Sequence, residues 1–391
     1  MRTVTLVLVD GSGTVLGSLP AFDVEVPWWA EVADVVDGAR ERFGVDVAVL
    51  RLLHADRPRQ PGGAVTYLAE THGPVPELAP AAVHPHPDPR RAPYAEVGGP
   101  AASLRWAVAE MRDLGLGAPV RTVQRKTWNL SALWQLEGVS RRYWLKHLPP
   151  FLKAESEVLA WLGAVAPGAA PRLLAADGTG RQLLADLPGE DRFGAPAAER
   201  RPMVDLLHGV QRRALDELPL LVGRGVLDRR GIRLYRQIQV AAEPWLSEIF
   251  GLADLLSGLS SRLAEVAACG MPDTLVHGDF HPGNVRAAPG VPPAVLDWGD
   301  AFLGHPGFDI LRLVEGLPDA DASALIAHWA GLWRRVAPGS DPERAVELLR
   351  PVAPLLGAVV YAGFVHNIEP SEWPYHSLDV PDCLREAVNL G

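Results

Sequence analysis

Apolar and polar positions change period several times along the chain. In the first 75 residues, "TVTLVLVDGSGTVLG" alternates as two strands joined by a glycine-rich turn. "WWAEVADVVDGARERFG" has helical spacing and stops at Gly44, which predicts an amphipathic helix. "VAVLRLL" and "AVTYLAE" return to strand pattern. Residues 1–75 therefore predict a small α+β domain. Periodicity fades over 76–100, "PELAPAAVHPHPDPRRAPYAEVGGP", a proline- and glycine-dense linker or wrapping segment. It resumes with a helix at "ASLRWAVAEMRDLG". Strands follow at "VRTVQRK", "SALWQLEG" and "RRYWLKHL", a helix at "FLKAESEVLAWLGAV", and a strand pair around "DGTGRQ". Beyond about residue 196 the pattern is mostly helical, broken by "DTLVHGDFHPGNVRAAPGVPPAVLDWGDAFLG". Strands first and helices later predict an α+β protein of two lobes, 101–190 and 191–391, behind the N-terminal domain.

Composition narrows the function classes. With 391 residues, 48% hydrophobic and 21% charged, the chain suits a folded protein of two or three domains. A net charge of −10 argues against non-specific nucleic-acid binding. Cys269 and Cys383 are far apart and lack metal-ligand spacing, so two free thiols in a reducing compartment are expected. "TVTLVLV" is too short for a signal segment and ends at Asp10. The 14-residue apolar run 352–365 contains a proline and predicts a buried helix, not a membrane span. These readings point to a cytoplasmic protein with no membrane or nucleic-acid partner. In "HPHPD" the prolines splay the histidines, and no second cluster lies nearby to complete a metal site.

The chemistry concentrates in "LVHGDFHPGN", residues 275–284. It is followed by a predicted hairpin, "NVRAAPGVPPAVLDWGD", whose second strand delivers Asp297. Asp279, Asn284 and Asp297 then converge at one end of a small β structure. Two carboxylates and an amide oxygen are hard donors that suit Mg²⁺ and phosphate chemistry. The spacing matches the protein-kinase pattern H-R-D-x-x-x-x-N, here His277-Gly278-Asp279 and then Asn284. Asp297-Trp298-Gly299, 13 residues after Asn284, stands where kinases have D-F-G. A kinase also needs a strand lysine on the nucleotide phosphates and a helix glutamate to hold it. Lys146 ends an aromatic-rich strand; Lys153, beyond Pro149-Pro150, is a poorer candidate. Glu155 shares a helical stripe with Phe151, Leu159 and Leu162, so it faces inward and calls for a cationic partner, Lys146. Glu157 points elsewhere.

"HGDFHPGN" followed by "VLDWGDAFLGHPGFD" resembles the aminoglycoside phosphotransferase family of kinase-like small-molecule kinases, over residues 101–391. That family's pattern is H-G-D-x-x-x-x-N, a hydrophobic residue, D-x-x-D, then G-D-P-x-x-D. Asp297, Asp300 and Asp309 fall in register, while His305 stands where the family commonly has aspartate. The resemblance implies a bilobal protein-kinase-like fold and transfer of the ATP γ-phosphate to a small-molecule hydroxyl. It implies that Asp279 orients or deprotonates that hydroxyl and that Asn284 and Asp297 hold Mg²⁺. Lys146, with Glu155, would steady the phosphates, and His277, Asp300 and Asp309 would support the loop. A general-base role for His277 is the lesser alternative. The nucleotide loop would fall in "RKTWNLSALW", which has no glycine. Ser131 and its neighbouring N–H groups would be the phosphate contacts, unless Asn129 and Ser131 are ordinary turn formers. Backbone groups of Ala185 to Leu187, in "RQLLADLPGED", would meet the adenine.

Residues 1–70 bear a faint resemblance to a Nudix hydrolase domain. With Gly44 on the motif glycine, only Glu41 falls on an acidic position, and Gly38 and Arg42 replace two others. The domain would be catalytically silent if Nudix-like, or an unrelated α+β unit. The absence of an A-P-E segment argues against a protein kinase, and a kinase-like binding or regulatory module is the competing reading. In "HNIEPSEWPYHSLDVPD", Glu369, Glu372, Asp379 and Asp382 would meet an amine, and Trp373 and Tyr375 would stack on a ring, unless the segment is a packed tail. The acceptor and the oligomeric state are not assigned by these readings.

Overall fold

Valine and leucine on alternate positions, buried in one cluster around Leu6 and Leu8 and a second around Val7 and Val9, give the first segment its sheet. In the computed structural model, which describes residues 1–81, 83 and 86–391, the chain forms two compact units. His84 and Pro85 of "HPHPD" lie outside the described residues. The first unit contains Met1–Lys153, Leu173–Asp186 and Gly363–Leu378; the second contains Ala154–Arg172, Leu187–Ala362 and Asp379–Gly391.

In the first unit, β1 (Arg2–Val9), β2 (Val15–Ser18), β3 (Phe22–Val24), β4 (Val47–Ala55) and β5 (Ala64–Thr71) form one sheet. Its order is β2-β1-β5-β4, with β3 also on β1. β1 and β5 run parallel, a long-range pairing that period alone does not reveal. The helix α1 (Ala33–Phe43) buries Val35 and Ala39 in a core with Leu6, Trp29, Val49 and Tyr67. After α2 (Gly99–Asp113), a second sheet forms from β6 (Arg121–Trp128), β7 (Ser131–Glu137) and β8 (Arg142–His147). It is completed by β9 (Leu173–Ala176) and β10 (Arg181–Ala185), in the order β6-β7-β8-β10-β9. Alternation places Trp134, Leu136, Tyr143, Leu145 and Leu183 on one face, against Ala107 and Met111 of α2.

The two sheets are stitched through the edge strand β6. The buried Gln124 amide donates to the Val49 carbonyl at 2.7 Å and accepts from the Val49 N–H at 2.9 Å. The Val32 N–H donates to Arg125 O and the Thr127 N–H to Ala30 O, each at 3.0 Å. This backbone pairing covers an edge that would otherwise be open to other strands. Residues 86–100 include buried Ala92, Tyr94 and Ala95, and so wrap against the unit.

The second unit is mostly helical. It begins with α3 (Glu155–Val165), β11 (Glu190–Asp191), α4 (Ala197–Ala214), α5 (Leu218–Gly223), β12 (Leu227–Asp228), α6 (Ile232–Ala242) and α7 (Leu252–Ala268). Strands β13 (Thr274–Val276), β14 (Val285–Ala288), β15 (Val291–Val295) and β16 (Phe302–Gly304) interrupt the helices where the sequence pattern does. Then come α8 (Gly307–Val314), α9 (Asp319–Val336), α10 (Pro342–Leu349), α11 (Val352–Asn367), whose end belongs to the first unit, and α12 (Asp379–Leu390). The apolar run expected as a buried helix is α11, with Leu355, Ala358 and Phe364 buried. No single helix among the described residues is long and apolar enough to cross a membrane. Cys269 and Cys383 are both free thiols.

Candidate active site

The loop 277–284 follows β13, whose residues Thr274, Leu275 and Val276 are all buried. At its far end Asn284 enters the hairpin β14–β15. The Leu296 N–H donates to the Asn284 carbonyl at 2.7 Å, so Asn284 and the following Asp297 emerge at the same end of that hairpin. Asp297 has φ 62° and ψ 58°, the one left-handed non-glycine residue among the described residues. Such a conformation costs energy, tolerable for an aspartate, and tends to be kept at functional sites. The next residue, Trp298, donates its N–H to Glu155 Oε1 at 3.0 Å. Glu155 is buried, as its stripe predicts. Glu157 points away and pairs with Arg224 at 3.5 Å.

Asp279 is held by three side chains. Arg312 Nε donates to Oδ1 at 2.9 Å, Asn284 Nδ2 donates to Oδ2 at 3.2 Å, and His281 Nε2 lies 3.4 Å from Oδ2. Asn284 Nδ2 also donates to the Asp279 carbonyl at 2.9 Å, which commits the amide nitrogen and leaves Oδ1 as the ligand atom. His281 Nδ1 accepts from the Gly283 N–H at 3.0 Å, so in the neutral ring the proton sits on Nε2, toward Asp279. Burial would raise the Asp279 pKa, but the His281 and Arg312 donors outweigh it and hold the carboxyl well below the usual range. Such a carboxylate orients a hydroxyl better than it removes a proton.

The loop is anchored from beneath. Asp309 Oδ2 accepts from the His277 N–H and from Gln211 Nε2, both at 2.9 Å, and Oδ1 accepts from the Gly278 N–H at 3.1 Å. Burial pushes the Asp309 pKa up to about 7, against three N–H donors that favour the charged form. His277 Nε2 bonds to Leu296 O at 2.7 Å, and Nδ1 accepts from the Asp279 N–H at 3.2 Å. Both ring nitrogens are thereby committed, which fits a brace and leaves no free nitrogen for a general base. Gly278 has φ 89°, and a Cβ there would lie 2.5 Å from the Asp300 carbonyl, so the motif's glycine is a steric requirement. The Asp300 carboxylate opposes the buried Arg229, whose pKa burial lowers to about 10.

His305, in the motif position expected to hold aspartate, accepts at Nδ1 from the Gly307 N–H at 3.0 Å, at the start of α8. The acceptor function of a carboxylate is therefore kept. Burial lowers the His305 pKa to about 4, which keeps the ring neutral and able to accept.

The remaining candidates belong to other elements. Lys146 lies on β8, opposite Leu133 and Gln182 in register, in the first unit. Ala185 closes β10 opposite Tyr143, and Leu187 opens the second unit's stretch toward β11. Gly189 has φ 88°, and a Cβ there would lie 2.0 Å from Ala287 O, which accounts for the glycine of "LPG". Ser131 is buried, and its hydroxyl accepts from Trp128 Nε1 at 3.1 Å. That bond fits the turn-forming role weighed for Ser131, and it leaves the hydroxyl's own O–H as a donor. Sequence reading also missed Arg312, His281, Gln211 and Arg229. Arg312 lies one helical turn after Asp309, a spacing that can be seen but not interpreted without the fold. Gln211 is 98 residues from Asp309 and carries no local signal.

Among the described residues, no group of three or more His, Cys, Asp or Glu side chains gathers as a metal cage. The donor set available is the Asp297 carboxylate with Asn284 Oδ1. That fits Mg²⁺, which takes one or two protein ligands and completes its shell with phosphates and water.

A five-stranded antiparallel sheet, and a helical unit carrying this loop and hairpin, define a protein-kinase-like phosphotransferase fold. Residues 110–339 match the family model described as the phosphotransferase enzyme family, APH, and the chain belongs to that family. Among solved structures it is similar to macrolide 2'-phosphotransferase MphH from Brachybacterium faecium. The identity is 17% and the TM-score 0.52, over 72% of this chain and 97% of that one. It is also similar to choline kinase LicA from Streptococcus pneumoniae, at 10% identity and TM-score 0.53, over 73% and 99%. A third is the GDP and kanamycin complex of an APH(2'') enzyme, at 14% identity and TM-score 0.50, over 73% and 99%. At these identities the likeness shows the fold. No curated protein sequence matches the chain.

Proposed function

We propose that this protein transfers the γ-phosphoryl group of ATP to a hydroxyl of a small molecule. The observation that carries the reading is the Asp279 carboxylate, fixed by Arg312, Asn284 and His281 on a loop that Asp309 anchors. Phosphoryl transfer asks the protein mainly for positioning and charge stabilisation. Asp279 orients the acceptor hydroxyl and takes up its proton late, as the bond to phosphorus forms. Asn284 and Asp297 are the residues that would hold Mg²⁺, which when bound supplies neutralisation of the phosphate charge. Lys146 is assigned to the nucleotide phosphates, and the backbone of Ala185 to Leu187 to the adenine. The β6–β7 turn would serve through backbone N–H groups and the Ser131 O–H, which stays a donor beside the bond it accepts from Trp128 Nε1. A screen of hydroxylated amines, sugars and antibiotics for Mg²⁺-dependent phosphate transfer from ATP tests the reading.

A nucleotide-binding module without turnover is the second reading, favoured by the buried, glycine-free turn at Asn129 and Leu130. Nucleotide binding with no transfer to any acceptor or to water separates it from the first.

The donors on Asp279 give a pH prediction. They depress its pKa, so the carboxylate stays ionised through the neutral range and is lost only at strongly acid pH. Arg312→Met removes one donor and raises that pKa. The acid limb of kcat/KM should therefore move to higher pH, and an unmoved limb contradicts the assignment.

A further inference from the structure

The segment Gly363–Leu378 leaves the helical unit and packs within the first unit, although the residues before and after it belong to the second. It is pinned at its start by Glu369, whose carboxylate lies 3.3 Å from Arg51 Nε and 3.0 Å from Arg91 Nη2. It then forms a short 3-10 helix, Pro370–Tyr375, which buries Tyr375 against Trp29 with ring centroids 5.7 Å apart. Its far end meets the β6–β7 turn. Asn129 Nδ2 donates to the Glu372 carbonyl at 3.4 Å, and Asn129 Oδ1 lies 3.1 Å from His376 Nε2. With the amide nitrogen given to Glu372, the oxygen accepts, so His376 carries its proton on Nε2. Burial lowers the His376 pKa to about 3, so the ring is neutral and has that one N–H. Asn129 and His376 are 3% and 5% exposed, so neither bond competes with water. The Trp128 ring stands 5.7 Å from Tyr375 and 5.5 Å from His376, and the Trp128 carbonyl accepts from the Tyr94 hydroxyl at 2.8 Å.

In a kinase-like fold the hairpin made by the first two sheet strands covers the nucleotide phosphates, usually with glycines that let the backbone approach them. Here the turn is Asn129-Leu130, neither residue takes a positive φ, and its conformation is imposed from outside. We propose that residues 369–376 are a positioning strap for the nucleotide hairpin. Asn129 and His376 are its positioning residues, setting nucleotide affinity through the turn backbone without touching nucleotide. This rests on the nucleotide-binding reading above. The strap does for this turn what rigid packing does for any preorganised site: it removes the ordering cost from the binding step.

The test measures Mg·ATP affinity by calorimetry on the full chain. Asn129→Ala and His376→Ala should each weaken Mg·ATP by roughly tenfold. His376→Gln, which keeps an N–H donor, should recover most of that loss. In turnover the nucleotide KM should rise while the acceptor KM stays put. Leu259→Ala, a buried core substitution on α7 of the helical unit, controls for lost stability and should leave affinity unchanged. Equal affinity in folded wild type, Asn129→Ala and His376→Ala overturns the strap, as does a loss in Leu259→Ala as large as theirs. If Asn129→Ala fails to fold, the pair His376→Ala and His376→Gln decides alone, and equal weakening in both overturns the donor role. A wild-type chain that binds no Mg·ATP overturns the nucleotide reading first, and the strap with it.

Discussion

Asp279→Asn should abolish phosphoryl transfer while leaving the fold intact. The substitution keeps the shape of the side chain but replaces one acceptor oxygen with an NH₂ that faces either Arg312 or the Asn284 and His281 pair. The acceptor hydroxyl loses the carboxylate that orients it and takes its proton. General-base and electrostatic contributions of this kind are worth ~10²–10⁴-fold in rate. The loop itself is held by Asp309 and by His277, so the melting temperature should change little. The measurement is phosphate transfer from ATP to the best acceptor found, or to water, alongside thermal unfolding. A folded Asp279→Asn protein with more than about a tenth of wild-type turnover contradicts the assignment.

Asp309→Asn should damage stability and activity together. The carboxylate accepts two backbone N–H groups and Gln211 Nε2. An amide would turn a donor toward donors, at a cost of about 2–4 kcal/mol. The loop would lose its anchor, and activity should fall by more than about a hundredfold because misplacement on the order of 1 Å costs that much. The penalty should also depend on pH. Asp309 has a folded pKa of about 7 against an ordinary 3.8, so the folded state binds the extra proton. Its contribution to stability is fully present below about pH 4 and is lost as pH rises through 7. Wild type and Asp309→Asn should therefore differ more in urea unfolding at pH 5 than at pH 8. A difference that grows toward pH 8 contradicts the buried, proton-binding anchor.

The convergence of the candidate site groups was legible because their spacing carries geometry. Asp279, Asn284 and Asp297 lie on one loop and one hairpin, and short-range backbone geometry converts that spacing into shared position. Glu155 was legible through its stripe, but the sequence reading named Lys146 as its partner and did not foresee the bond it accepts from the Trp298 N–H. Arg312 and Gln211 were not legible, because tertiary packing selects them and neither residue type at its position is unusual. The same limit explains the C-terminal segment. "EPSEWPY" reads equally as a ligand-facing run or a packed tail. Only the fold puts Glu369 on Arg51 and Arg91 and Tyr375 against Trp29. For residues 1–75, period revealed strands and a helix. It could not reveal the parallel β1–β5 pair, nor the pairing of residues 30–32 with β6.

The central claim is that this chain binds a nucleotide with Mg²⁺ through Asp297 and its neighbours. Thermal unfolding of the full chain at rising Mg·ATP, for wild type and Asp297→Ala, tests it without knowledge of the acceptor. A ligand at 100 times its Kd stabilises the folded state by about 2.7 kcal/mol. Wild type should therefore gain a few degrees that Asp297→Ala does not, and the gain should vanish with EDTA. No rise in wild type at millimolar Mg·ATP, or an equal rise in Asp297→Ala, contradicts the account.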